Sequence, residues 1–203
     1  MKQTGRYTGK IRAYFKTIHV FIFLSLFLAV APLCNGDSKA SPSEAKEDAF
    51  LVLGREQSLA ESYAYMLNEF GKNDLNTYAR GIELYVAARA EFNGLIEYMK
   101  TKLIKAEPFN TSSDFQEIIK KAVDSRISFT AFIKEEILSK HVGEKGVVTD
   151  IIKSAGELIT AITGVGKTVW LEYRAVKDSQ KKELLDQLNA LKWKEFHQIG
   201  GGK

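Results

Sequence analysis

The sequence contains few cysteines and prolines, and it has no acidic residue among its first 36 residues. Its 203 residues include one cysteine, Cys34, and three prolines. A single thiol excludes an intramolecular disulfide, so the core alone has to hold the fold. Because proline removes a backbone hydrogen bond, its scarcity permits long, uninterrupted helices.

The first 36 residues have the layout of a secretory signal peptide. An apolar run extends from Val20 to Ala31 and is interrupted only by Ser25. The run is shorter than the roughly 20 apolar residues that a membrane-spanning helix needs, so cleavage is favoured over anchoring. Before it stands a cationic start with no acid, consisting of Lys2, Arg6, Lys10, Arg12 and Lys16.

Cleavage is expected after Gly36, because signal peptidase requires a small residue before the cut. Two alternatives stay open, namely lipid attachment at Cys34 and retention of the leader as an anchor. Leu33 stands immediately before Cys34, where a small residue is expected for lipid attachment. The predicted location is periplasmic or secreted, with Cys34 as the candidate lipidation site.

Removing the leader changes the charge balance. The leader holds five of the 29 lysines and arginines and none of the 25 acids, so 24 basic and 25 acidic residues remain. Binding to a phosphate backbone requires a concentrated positive patch. The sequence therefore predicts no nucleic-acid partner.

Apolar residues recur at helical spacing through the rest of the chain. The pattern predicts an all-α fold, an antiparallel up-and-down bundle of four long helices, the last broken or extended into a fifth. The predicted organisation is a signal peptide at 1–36, a flexible linker at 37–41, a helical-bundle domain at 42–199 and a disordered tail at 200–203.

Local signals place the helix ends. Ser41 and Glu44 can form a capping box at the start of a helix over 42–70, with Gly71 as its C-cap. Asn73 or Asp74 can cap the second helix. Thr111, Ser112 and Ser113 offer caps for the third, with Gln116 three residues after Ser113.

The fourth helical pattern begins at Val148 and runs to about residue 191. Gly164, Gly166 and the polar stretch 177–182 are its two candidate hinge regions. Within residues 155–171 only Glu157 and Lys167 are charged. This composition favours the most buried helix of the bundle, and the alternative is a segment that inserts into a membrane.

Four residues are candidate ligand or partner contacts. Arg89 interrupts the apolar row of the second helix. Its side chain either extends to the bundle edge or pairs with an acid on a neighbouring helix, and the functional alternative is that it binds a ligand together with Tyr85. Trp193 and Phe196 lie beside lysines in an amphipathic segment that either docks on the bundle or touches a membrane.

No catalytic motif emerges from the sequence. Residues 161–168 loosely match a phosphate-binding loop, but the strand that such a loop requires is missing. We expect that the protein has no cofactor, no metal site and no enzymatic activity. The expected function is that of an exported binding or structural module in the cell envelope or outside the cell, with another protein as partner. The alternatives are a membrane-active protein that uses 155–171 and a small-ligand-binding bundle centred on Arg89.

Overall fold

The structure is a computed structural model that describes residues 42–142 and 148–199, with side chains for 44–140 and 155–199. Helices make up most of these residues. The predicted leader, the linker at 37–41, Ser41, Cys34 and the tail at 200–203 lie outside these residues. The helices are α1 (Pro42–Phe70), α2 (Leu75–Ile104), α3 (Ser113–Phe132), α4 (Ser139–Val142), α5 (Val148–Ala175) and α6 (Asp178–Ala190). A π-helical segment, Ile133–Leu138, links α3 to α4, and 3-10 turns occupy Gly71–Asn73 and Phe196–Gln198.

Each of the four long helices packs mainly on two others. In the described chain α1 contacts α2, α2 contacts α3, α3 contacts α5, and α5 closes the ring on α1. This confirms the predicted all-α bundle. The fourth helical stretch is broken, because α5 ends at Ala175 and α6 begins at Asp178.

The bounds of α1 and the start of α2 agree with the sequence prediction. The Asp74 carboxylate accepts hydrogen bonds from the backbone N–H groups of Asn76 at 3.1 Å and Thr77 at 3.2 Å. The side chain and backbone of Thr77 lower the pKa of Asp74. Asp74 is therefore the cap of α2.

Ser112, one of the three caps predicted for the third helix, is its cap in the structure. Its hydroxyl accepts the backbone N–H of Phe115 at 3.2 Å. The Gln116 side chain faces α5, where it accepts a hydrogen bond from the Thr163 hydroxyl at 3.4 Å.

The glycine hinge in α5 was predicted wrongly. The helix is continuous through Gly164 and Gly166. A Cβ atom at Gly166 would overlap the Phe115 ring, so this glycine lets α5 lie close against α3. The break falls at Val176 and Lys177, where the predicted polar hinge begins.

Residues 155–171, predicted to form the most buried helix, are buried on one side and exposed on the other. Ile162, Val165 and Val169 are buried, but Lys167 is exposed and Leu171 is 54 % exposed. Alanine, glycine and threonine make this stretch look apolar without giving it a side chain to bury on every face. Within the described part of the chain, no helix is both long and apolar enough to cross a membrane.

Candidate functional site

The residues after α6 form an irregular segment, 191–199, which ends in the 3-10 turn and which we call the strap. It lies along α1 and α2, in what we call the α1–α2 groove. On α1, the Gln57 amide donates to the Lys192 carbonyl at 2.8 Å, and the Asn68 amide donates to the Ile199 carbonyl at 3.3 Å. The strap therefore runs in the same direction as α1.

Three side chains of α2 hold the strap from the other side. The Asn93 amide donates to the Trp193 carbonyl at 3.2 Å, and its oxygen accepts the Trp193 N–H at 2.8 Å. Arg89 Nε donates to the same carbonyl at 3.0 Å. The Tyr85 hydroxyl donates to the Lys194 carbonyl at 2.8 Å. The backbone of an irregular segment is thus hydrogen-bonded by side chains, as buried peptide groups require.

Trp193 anchors the strap in the core. Its side chain is 1 % exposed. The indole stacks on Phe92, with ring centroids 4.8 Å apart, and on Tyr85 at 6.1 Å. The indole N–H is buried and finds no hydrogen-bond acceptor among the described residues, so the anchoring is apolar and aromatic.

Phe196 provides a second aromatic contact one turn further along. Its ring makes T-shaped contacts with the rings of Tyr85 and Tyr78, with ring centroids 5.6 Å and 6.1 Å apart. Tyr85 also contacts Phe129 of α3 at 5.4 Å, which connects the strap to the centre of the bundle.

Opposite charges line the strap and the groove. The strap has three formally charged side chains at neutral pH, and each lies against a residue of opposite sign. The pairs are Lys192 with Glu97, Lys194 with Glu61 at 2.9 Å, and Glu195 with Arg89. Exposed pairs of this kind contribute at most about 1 kcal/mol each, but shifting the strap by one residue would break all three.

The ionisation of the groove residues follows from these contacts. Burial raises the pKa of Tyr85, and Glu61 adds to the rise. Hydrogen bonds from Lys192 and Lys100 lower the pKa of Glu97. Tyr85 therefore stays a hydrogen-bond donor and Glu97 stays an anion around neutral pH.

The structure brings all four candidate contact residues together. Arg89, Tyr85, Trp193 and Phe196 meet where the strap crosses α2. The Arg89 guanidinium is engaged by Glu195 and by the Trp193 carbonyl, so its acidic partner lies on the strap and not on a neighbouring helix. A role of these residues in binding a ligand or partner stays a prediction.

Sequence reasoning missed the amides that hold the strap. Gln57, Asn68 and Asn93 stand among ordinary polar residues on helix surfaces, and nothing in their spacing distinguishes them. Only the course of the strap shows that they act together.

A second charged cluster lies between α1 and α3. Arg126 Nε is 2.9 Å from Glu56 Oε2, and both side chains are about nine-tenths buried. Burial raises the pKa of Glu56 despite the opposing effect of Arg126. Burial likewise raises the pKa of the nearby Tyr63 to about 12. This cluster links two helices through the core.

The phosphate-loop match and the metal-binding residue types form no further site among the described residues. Residues 161–168 lie inside α5, where the Thr163 hydroxyl bonds to the Ile159 carbonyl at 2.8 Å, so they do not form a phosphate-binding loop. In the described ranges, no three His, Cys, Asp or Glu residues are grouped to hold a metal ion.

Two open depressions lie elsewhere on the surface. One, of about 240 Å³, is lined by Ala106, Trp170, Tyr173, Arg174 and Lys181. The other, of about 290 Å³, is lined by Lys46, Glu47, Phe50, Glu172 and Gln187. Arg89 lines neither of them.

Comparison of the chain with protein-family models, with curated proteins and with solved structures finds no match. The fold and the strap together define the class of this protein as a helical bundle closed by an irregular segment.

Proposed function

We propose that this chain is exported and acts as a binding or structural module in the cell envelope or outside the cell, with another protein as its partner. The observation that carries the binding part is the strap. Side chains from two helices hold an irregular segment by its carbonyl groups, a buried tryptophan and matched charges. These are the elements with which proteins bind extended peptides.

The export part is supported by the leader and by the way the fold is closed. Residues 37–203 contain no cysteine, so a disulfide cannot stabilise them in an oxidising compartment. Hydrogen bonds and ion pairs to the strap fix the chain after α6 instead. Such closure works equally well under oxidising and reducing conditions.

The membrane-active alternative has less support. The larger apolar side chains of residues 155–171, including Ile162 and Val169, face the core. Presenting them to a lipid would require α5 to leave both α1 and α3.

Export is tested by expressing the full chain in a secretion-competent host and measuring the intact mass of the product. We expect exported protein beginning at Asp37. Leu24→Arg with Leu26→Arg, which breaks the apolar run, should retain the protein in the cell. Leu51→Arg is the matched control, because Leu51 is 51 % exposed on α1 and tolerates a charge. Export that survives the leader variant would contradict the proposal.

The intact mass also distinguishes the three alternatives for the leader, which are cleavage after Gly36, lipid attachment at Cys34 and retention as an anchor. A lipid adduct that starts at residue 34 and disappears in Cys34→Ser would replace cleavage after Gly36. An exported protein that keeps the whole leader would indicate an anchor.

Binding is tested with photo-crosslinking residues at Tyr65 and Val86, each 49 % exposed, in the exported protein of the native host. We expect a discrete adduct with one protein from at least one position. Lys120, exposed on α3, serves as the control position. Adducts that are equally diffuse at all three positions would contradict a specific partner.

A further inference from the structure

The strap is recognised by its groove through sequence-specific contacts. Trp193 fills a site between Phe92 and Tyr85, and the strap charges at 192, 194 and 195 match the groove charges in order. These contacts depend on which residues the strap carries, and not on its covalent connection to the bundle.

The part of the chain that delivers the strap has few other attachments. Among the described residues, α6 buries only Leu184 and Leu188. It follows a two-residue break in which Lys177 has extended backbone, with φ −68° and ψ 156°. Rotation at this break would move 178–199 as a unit.

An empty groove would be costly. Tyr85, Phe92 and Trp193 are buried and would all become exposed to water, which is unfavourable for large aromatic rings. The strap of a second copy offers identical contacts, so exchange loses none of them.

We propose that residues 178–199 exchange between two copies, so that the α1–α2 groove of each binds the strap of the other. The occupant is a second copy of this chain, since its strap is the one segment whose fit to the groove is demonstrated by the structure. The inference goes beyond the proposed function and does not depend on export.

The test uses two full-length variants with reversed charge pairs. The groove variant carries Glu61→Lys and Arg89→Glu, and the strap variant carries Lys194→Glu and Glu195→Arg. Within either variant the groove repels its own strap. In a mixed dimer with exchanged straps both grooves recover opposite charges. Each variant keeps the net charge of the natural chain, so non-specific attraction does not favour mixing.

The control is one chain that carries all four substitutions. Opposite charges then meet within that chain, and like the groove variant it lacks the hydrogen bond from Arg89 to Trp193. After joint refolding of the two variants, native mass spectrometry should show a mixed dimer. Its dissociation constant should be at least about 30-fold below that of the control dimer, as four recovered pairs imply. A mixture that gives no more dimer than the control would overturn the proposal.

A second measurement tests the exchange independently, in case the charge-reversed variants fold poorly. A Glu61→Cys chain and a Lys194→Cys chain, both with Cys34→Ser, are mixed and treated with a short bis-maleimide. Exchange predicts cross-linked dimers containing one chain of each kind. Purely internal strap binding predicts single chains only, and that result would also overturn the proposal.

Discussion

Asn93 and Trp193 bond to each other as two paired peptide groups do. The Asn93 side-chain oxygen accepts the Trp193 N–H at 2.8 Å, and its amide donates to the Trp193 carbonyl at 3.2 Å. One helical side chain thus replaces the neighbouring strand that an extended segment usually requires.

Asn93→Ala should lower the free energy of unfolding by about 1–3 kcal/mol, because it leaves the buried Trp193 N–H without an acceptor. Urea denaturation measures this. Asn76→Ala is the matched control, since Asn76 is exposed on the same helix, and its effect should stay within about 0.5 kcal/mol. Equal effects of the two substitutions would show that the pairing contributes nothing.

Trp193→Ala should lower the free energy of unfolding by about 3–5 kcal/mol, because it empties the site between Phe92 and Tyr85. The loss is read from chemical denaturation, and native-state hydrogen exchange should show faster exchange of the strap amides. Leu171→Ala, at a position 54 % exposed, should change stability by less than about 1 kcal/mol. An unchanged midpoint for the Trp193 variant would mean that the strap is not part of the core.

Gly166→Ala and Gly164→Ala should have opposite effects. The new methyl group overlaps the Phe115 ring at 166, which should destabilise the fold by about 1–3 kcal/mol. At 164, where a Cβ meets nothing within 4 Å, alanine should stabilise α5 by up to about 1 kcal/mol. Thermal unfolding of the two variants compares them directly, and a stabilised Gly166 variant would contradict the close packing of α5 on α3.

Tyr63 should make stability fall at alkaline pH. Burial raises its pKa to about 12 in the folded chain, whereas an unfolded tyrosine ionises near 10. The folded state therefore holds this proton more tightly, so stability present below about pH 10 is lost as pH rises towards 12. A rise of two units in pKa corresponds to roughly 3 kcal/mol of stability.

Tyr63→Phe should reduce this alkaline loss, as measured by urea denaturation between pH 9 and 12. Tyr65→Phe is the control, because Tyr65 lies two residues away on α1 and is 49 % exposed. If the Tyr63 variant loses stability as steeply as the Tyr65 variant, Tyr63 does not keep its proton in the folded chain.

Local signals account for what the sequence predicted well. The bounds of α1 and the cap of α2 at Asp74 depend on residues within one helical turn, so the sequence carries them directly. The buried side of α2, with Phe92, Ile96 and Met99, follows from the spacing of large apolar residues.

The strap could not be predicted because its contacts join residues far apart in the sequence. Asn93 and Trp193 are 100 positions apart, and Gln57 and Lys192 are 135 apart. The tryptophan and Arg89 stand out because their chemistry is unusual for their surroundings. An asparagine or glutamine on a helix surface carries no such signal until its partner is known.

The strap follows all six helices that the structure describes, and this order has a consequence for synthesis. The ribosome makes α1 and α2 well before it reaches Trp193, so Tyr85 and Phe92 lack the cover of the strap while the bundle first assembles. We expect every nascent chain that ends before residue 193 to expose these rings, and thus to be a substrate for chaperones. Completion of the core therefore coincides with the emergence of a short segment that belongs to no helix of the bundle.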